Sequence, residues 1–249
     1  MEQMYITSRK NPLIQRSRKL IASRKERQDA GLFACDGTKL LAEAVAYWEG
    51  LDTVFLTEDV QLDLPDRVKV IRVSPDIMAY ISPMETPQGA FFLCRLPEET
   101  PFVPKKGMLL LDGIQDPGNL GTILRTADAL DIPVALLEGC ADPYSHKVVR
   151  ASMGAVFRTP PVKTTWEIAR KALNEVDIPI GVTALSERAE DIRQTDVGTM
   201  AVVIGSEGQG VRSQILAQAD RELIIPMNPR CESLNAAVAA TIVMWQMVR

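Results

Sequence analysis

LLLDGIQDPGNLGTILRTADAL (109–130) is the stretch from which the rest of the chain is read. A short apolar strand runs into Asp112-Gly113, then into Asp116-Pro117-Gly118-Asn119, then into a helical pattern over 119–130. In open α/β sheets ligands bind where strands end and helices begin. Asn119 is placed to cap the helix, and Gly118 and Gly121 let backbone pass close to another group. Arg125 falls about two turns into that helix, on an otherwise apolar stretch. By itself it reads most simply as an arginine snorkelling to the surface.

Downstream the alternation continues. Strands are predicted at 134–138, 180–185, 200–205 and 222–226, and helices near 145–153, 165–176, 211–219 and 233–248. Such alternation implies a mostly parallel sheet covered on both faces. Upstream, PEETPFVPKKG (97–107) holds three prolines and little apolar material, which marks a linker. Before it, residues 1–96 form a second α/β pattern. Asn11-Pro12 opens a helix stopped by Gly31, and strands follow at 32–35, 53–57, 68–73 and 89–95. A helix is predicted at 38–48, and Ser74-Pro75 opens another. The expected organisation is therefore 1–96, a linker at 97–107, and 108–249.

Two more turns carry unusual residues. VVIGSEGQGV (202–211) sets Ser206 and Glu207 among three glycines. Its spacing is neither the GxGxxG of a dinucleotide fold nor a P-loop, so alone it reads as a tight strand-to-helix turn. LIIPMNPRCESLNAAVAATIVMWQ (223–246) offers Ser233 as the N-cap of a long apolar helix. Asn235, a poor helix former just inside, reads as a polar anchor for a neighbouring loop.

Composition narrows the function. The chain has 249 residues, 46% hydrophobic and 24% charged, with net charge −4, ordinary values for a protein with a packed core. No apolar run reaches 18 residues, so no membrane span is expected, and the opening MEQMYITSRKNPL does not read as a secretory signal. Four dispersed cysteines argue against zinc and suit a cytoplasmic protein. The single histidine, His146, makes a His-based metal site or a Ser/His triad improbable. Charge is uneven, however. Residues 1–30 carry eight basic side chains, among them Arg9, Lys10, Arg16, Arg18, Lys19 and Arg27, against three acidic ones. Such a stripe can track RNA phosphates, or can be a solvated helix face.

Taken in this order and spacing, the three turns resemble the SpoU (TrmH-like) branch of the SPOUT RNA methyltransferases. The motif set is N-x-G-x-x-x-R, then I-G-x-E-G-x-G, then I-P-M…S-L-N, with RASMGAVFRTP (150–160) between the first two blocks. Residues 1–96 are similar to the family's L30e-like substrate-binding domain. The resemblance implies an α/β trefoil knot at 108–249, a homodimer with its active site near the subunit boundary, and S-adenosylmethionine as cofactor. It implies cofactor contacts at Gly205, Ile225, Met227 and Leu234. It also makes Arg125 the catalytic arginine, with Asn119, Glu207, Ser233 and Asn235 positioning it and the ribose, and it requires no metal. Two departures stand out: Pro229 where the third motif has glycine, and Trp245-Gln246 in place of tyrosine and glutamate.

The implied activity is methyl transfer to a ribose 2′-hydroxyl, and the N-terminal extension favours ribosomal over transfer RNA. A transfer-RNA methyltransferase and a non-catalytic ribosome-assembly factor are the alternatives, the latter predicting no affinity for S-adenosylmethionine. A nucleotide-dependent oxidoreductase would need GxGxxG after the first strand, which is lacking.

Overall fold

The computed structural model describes residues 4–206, 208–228 and 230–249. In chain order the elements are β1 (Tyr5–Ile6), α1 (Pro12–Ala22), α2 (Arg24–Ala30), β2 (Leu32–Asp36), α3 (Thr38–Tyr47), β3 (Leu51–Leu56), β4 (Lys69–Val73), α4 (Pro75–Ile81) and β5 (Ala90–Arg95). There follow β6 (Met108–Asp112), α5 (Pro117–Ala129), β7 (Val134–Leu136), α6 (His146–Ala151), α7 (Ala155–Arg158), β8 (Val162–Lys163) and α8 (Trp166–Glu175). The chain ends with β9 (Ile180–Thr183), β10 (Glu190–Asp191), β11 (Ala201–Gly205), α9 (Ser213–Leu216), β12 (Arg221–Ile224) and α10 (Ala236–Met247).

The chain divides into two compact units. The first joins 1–98 with Tyr144–Arg158. Its sheet runs β1-β4-β3-β5-β2, with β5 antiparallel to both its neighbours. Its core gathers Ile14, Leu20, Phe55, Ile71, Ile77 and Phe91. The sequence reading kept 144–158 with the second half of the chain; instead this segment packs on the first unit. Tyr144 lies 5.0 Å from Phe33 and Phe157 lies 5.8 Å from Trp48, ring centre to ring centre. Such pairs each add about 0.5–1.5 kcal/mol beyond their burial. Arg150 pairs with the buried Asp36 at 3.3 Å, and Arg158 pairs with Glu43.

The predicted single helix from Asn11 to Gly31 is two helices. Ser23, with extended backbone, ends α1 and caps α2. Arg27, counted above in the basic stripe, is 5% exposed and donates to the carbonyl of Leu20 at 2.7 Å. It satisfies the open end of α1 and does not face solvent.

The second unit joins 99–143 with 159–249. Its seven strands run β10-β12-β9-β11-β6-β7-β8, and every pairing is parallel. The central strands read as unbroken apolar runs because both faces are covered: all of Met108–Asp112 and Ala201–Gly205 is buried. This agrees with the expected mostly parallel α/β fold. Both helix caps differ from expectation. Asp116 caps α5, accepting from the Asn119 amide at 2.8 Å, so Asn119 is inside the first turn. Asn235, and not Ser233, caps α10.

Candidate functional site: a cleft at the strand ends

β9, β11 and β12 lie within one parallel stretch of sheet, so their C-terminal ends open on the same edge. The loops leaving them, with the start of α10, enclose a cavity of about 440 Å³. Gly205, Ile225, Met227, Ser233 and Leu234 all line it. The structure thus brings together residues from two motifs separated by some twenty positions. It adds Thr183–Ser186, after β9, to the lining. No glycine or unusual polar residue marked that segment in the sequence, and only its place at a strand end points to it.

Gly205 is dictated by geometry. The loop after β11 folds back, with Ser206 and Gly210 exchanging backbone hydrogen bonds at 2.9 and 3.2 Å. A Cβ on Gly205 would lie 2.0 Å from the carbonyl carbon of Gly210. The foot of the loop is held by a pair that sequence reasoning missed. The Arg212 amide and Nε donate to the two oxygens of Asp112, at 2.9 and 2.6 Å, and Nη2 donates to Glu138 at 2.9 Å. Burial works against the Arg212 charge, but Glu138 and Asp112 outweigh it and raise its pKa above the ordinary arginine value. The visible signal was Asp112 closing an otherwise apolar strand. Glu207, within this loop, lies outside the described residues, as does Pro229.

The polar motif residues meet at the mouth of α10. Asn235 Nδ2 donates to Asn119 Oδ1 at 3.0 Å. Its Oδ1 accepts from the amides of Ala237 and Val238 at 2.9 and 3.3 Å. One side chain therefore caps α10 and ties it to the first turn of α5. Arg125 is not among the residues lining the cavity; it lies on the exposed face of α5, one turn beyond Gly121. Among the described residues no group of three or more His, Cys, Asp or Glu could hold a metal ion.

In the first unit, Arg9, Lys10, Arg16, Arg18 and Lys19 are all exposed. Arg9 and Arg18 converge on Tyr80, with guanidinium carbons 5.0 and 4.3 Å from the ring centre. Arg9 is also paired with Asp76.

Residues 106–245 match the model of the SpoU rRNA methylase family. The chain belongs to that family. Residues 11–91 match an MRM3-like substrate-binding domain. A Bacillus subtilis relative, 23S rRNA (guanosine(2553)-2′-O)-methyltransferase RlmP, is 32% identical, over 97% of this chain and 98% of its own. A crystal structure of an AdoMet-bound rRNA methyltransferase from Sinorhizobium meliloti superposes with a TM-score of 0.87 at 26% identity, covering 99% and 98% of the two chains. The SpoU methyltransferase AviRb from Streptomyces viridochromogenes, solved with AdoMet, gives 0.84 at 26% identity, covering 96% and 98%. The expected α/β methyltransferase fold with an N-terminal substrate-binding domain is thereby borne out.

Proposed function

We propose that this protein transfers a methyl group from S-adenosylmethionine to a ribose 2′-hydroxyl of large-subunit ribosomal RNA. The observation that carries the reading is the convergence of Gly205, Ile225, Met227 and Leu234 on one cavity of about 440 Å³. That volume suits a small-molecule cofactor. The lining also fits: Ile225, Met227 and Leu234 give apolar walls for an adenine, and Ser186, Ser206 and Ser233 give polar groups beside them. The full-length likeness to a 23S ribosomal RNA 2′-O-methyltransferase supports the substrate.

When bound, S-adenosylmethionine supplies an electrophilic methyl on a sulfonium. The remaining work falls to the protein. Gly205, Ile225, Met227 and Leu234 hold the cofactor. Asn119, Glu207, Ser233 and Asn235 orient the ribose and Arg125. Arginine stays protonated, with a pKa above ~12, so Arg125 acts by binding the RNA 3′-phosphate and stabilising charge growing on O2′. Because Arg125 is already protonated, the O2′ proton would pass to solvent. Much of the acceleration comes from alignment of the reacting atoms.

A homodimer completes this site. α10 is apolar all round, and Val238, Ile242 and Trp245 stay 48%, 36% and 60% exposed at a helical spacing that makes one stripe. A helix of that kind wants cover on every side. A second copy over α10 supplies it and turns the exposed Arg125 toward a cleft across the boundary. No helix among the described residues is long and apolar enough to cross a membrane, and all four cysteines are free thiols. Both facts accord with work on RNA in the cytoplasm. Titration with S-adenosylmethionine tests the reading: saturable one-to-one binding supports it, and no binding contradicts it.

A further inference from the structure

The first unit carries a second cleft, of about 420 Å³, between the last turns of α1 and α4. Its lining is mixed: Ile21, Ala22, Ala79, Ile81 and Pro83 are apolar, and Arg9, Arg18, Tyr80 and Ser82 bring polar atoms. Tyr80 orders both cations. Its hydroxyl accepts from Gln15 Nε2 at 3.1 Å, and Gln15 in turn donates to the Arg9 carbonyl at 2.6 Å. Hydrogen bonds from Arg18 first and Gln15 second hold the phenol below its usual range. Asp76 fixes Arg9 through Nε and Nη2, leaving Nη1 outside that pair. Two guanidiniums are thus preorganised around one aromatic ring, beside the small apolar side chains of Ala22 and Ala79.

We propose that this cleft binds one unpaired nucleotide of the RNA substrate, with a phosphate on Arg18 and Arg9 and the base in the recess beside Tyr80. The proposal rests on the RNA-methyltransferase reading above. Single-stranded RNA is recognised by this combination of aromatic or guanidinium planes for bases and cations for the backbone. Duplex RNA cannot present a base to a recess without unpairing it. Position within the fold separates the two halves of the nucleotide. α4 ends at the cleft, and the carbonyls of a helix C-terminus disfavour an anion. The phosphate therefore stays at the rim, on the guanidiniums, while the uncharged base enters. Of the other exposed cations, Arg16 and Lys19 lie one helical turn apart on α1 and track neighbouring phosphates.

The test uses the full-length protein with a labelled single-stranded RNA and the same RNA as a blunt duplex. Tyr80→Leu should weaken single-strand binding on the order of 10-fold, the usual scale for one stacked base, and leave duplex binding unchanged. Tyr80→Phe should keep most of the affinity. Arg18→Ala should lower the slope of log affinity against log salt by about one. Ultraviolet irradiation of the single-strand complex should cross-link RNA to the peptide containing Tyr80. Circular dichroism and thermal denaturation of each variant verify folding of the first unit, and the solvent-exposed Arg18→Ala carries the test if Tyr80→Leu does not fold. Wild-type protein that binds RNA while both variants match it overturns this cleft alone. Wild-type protein that binds neither RNA overturns the RNA reading with it.

Discussion

Asn235 joins two helices with one amide: Nδ2 reaches Asn119 on α5 at 3.0 Å, while Oδ1 caps α10. The two jobs can be separated. Asn235→Ala removes the cap and should cost about 1 kcal/mol of stability. Asn235→Asp keeps an acceptor at the helix start, where negative charge is favourable, but has no donor for Asn119. Both variants should lose about 10-fold or more in methyl transfer, because orientation is lost, yet only the alanine should lower the denaturation midpoint. Full turnover by Asn235→Asp would remove the Asn119 link from the account.

Gly205→Ala should lower S-adenosylmethionine affinity by about 10-fold or more. The added methyl would sit 2.0 Å from Gly210, so the loop that borders the cleft must move. Calorimetry of the variant beside wild type measures it. Equal affinities would show that the loop yields without consequence for the cofactor.

What the sequence made legible, and what it hid, follows from range. The strands at 108–112 and 201–205 were readable because burial on both faces leaves an apolar run. The turns after them were readable because glycine and polar residues interrupt such runs, whereas the expected cofactor contacts were implied by the family resemblance alone. The caps were misassigned because Asp116 and Asn119 compete at one helix start and Ser233 and Asn235 at another, and all four residues are good caps. Tertiary partners settle the choice: the Asn119 side chain is engaged by Asn235. The predicted helix 211–219 shrinks to Ser213–Leu216 because the Arg212 amide is held by Asp112, a hundred positions away. The destination of Tyr144–Arg158 was hidden for the same reason, since its partners Phe33, Asp36, Glu43 and Trp48 lie about a hundred residues upstream.

The single histidine gives a clean pH probe of the first unit. Burial pushes the His146 imidazole below its ordinary range; Asp36 pulls the other way, and Lys147 and Arg27 push it down again. The unfolded chain therefore takes up this proton first as pH falls. The His146 contribution is complete above about pH 6.5 and declines as pH drops from there through the folded value. His146→Asn should reduce the difference between urea midpoints at mildly acid and neutral pH. Resonance titration should place the folded midpoint below that of the denatured chain; a higher one would contradict the burial argument.

Trp245→Glu places a charge in the exposed stripe of α10, beside Ile242. Sedimentation should show a dimer for wild type and a monomer for the variant, and methyl transfer should fall with dissociation. A monomeric, fully active wild type would contradict the shared site.

The most direct measurement follows the methyl group itself. Purified protein is incubated with methyl-labelled S-adenosylmethionine and unmodified large-subunit ribosomal RNA, and the RNA is then digested with alkali. The account predicts label in an alkali-resistant dinucleotide, the mark of a methylated ribose. It also predicts that Arg125→Ala binds the donor nearly normally while losing about 100-fold or more in transfer. Label on a base, or no transfer by wild-type protein to any ribosomal RNA offered, would contradict it.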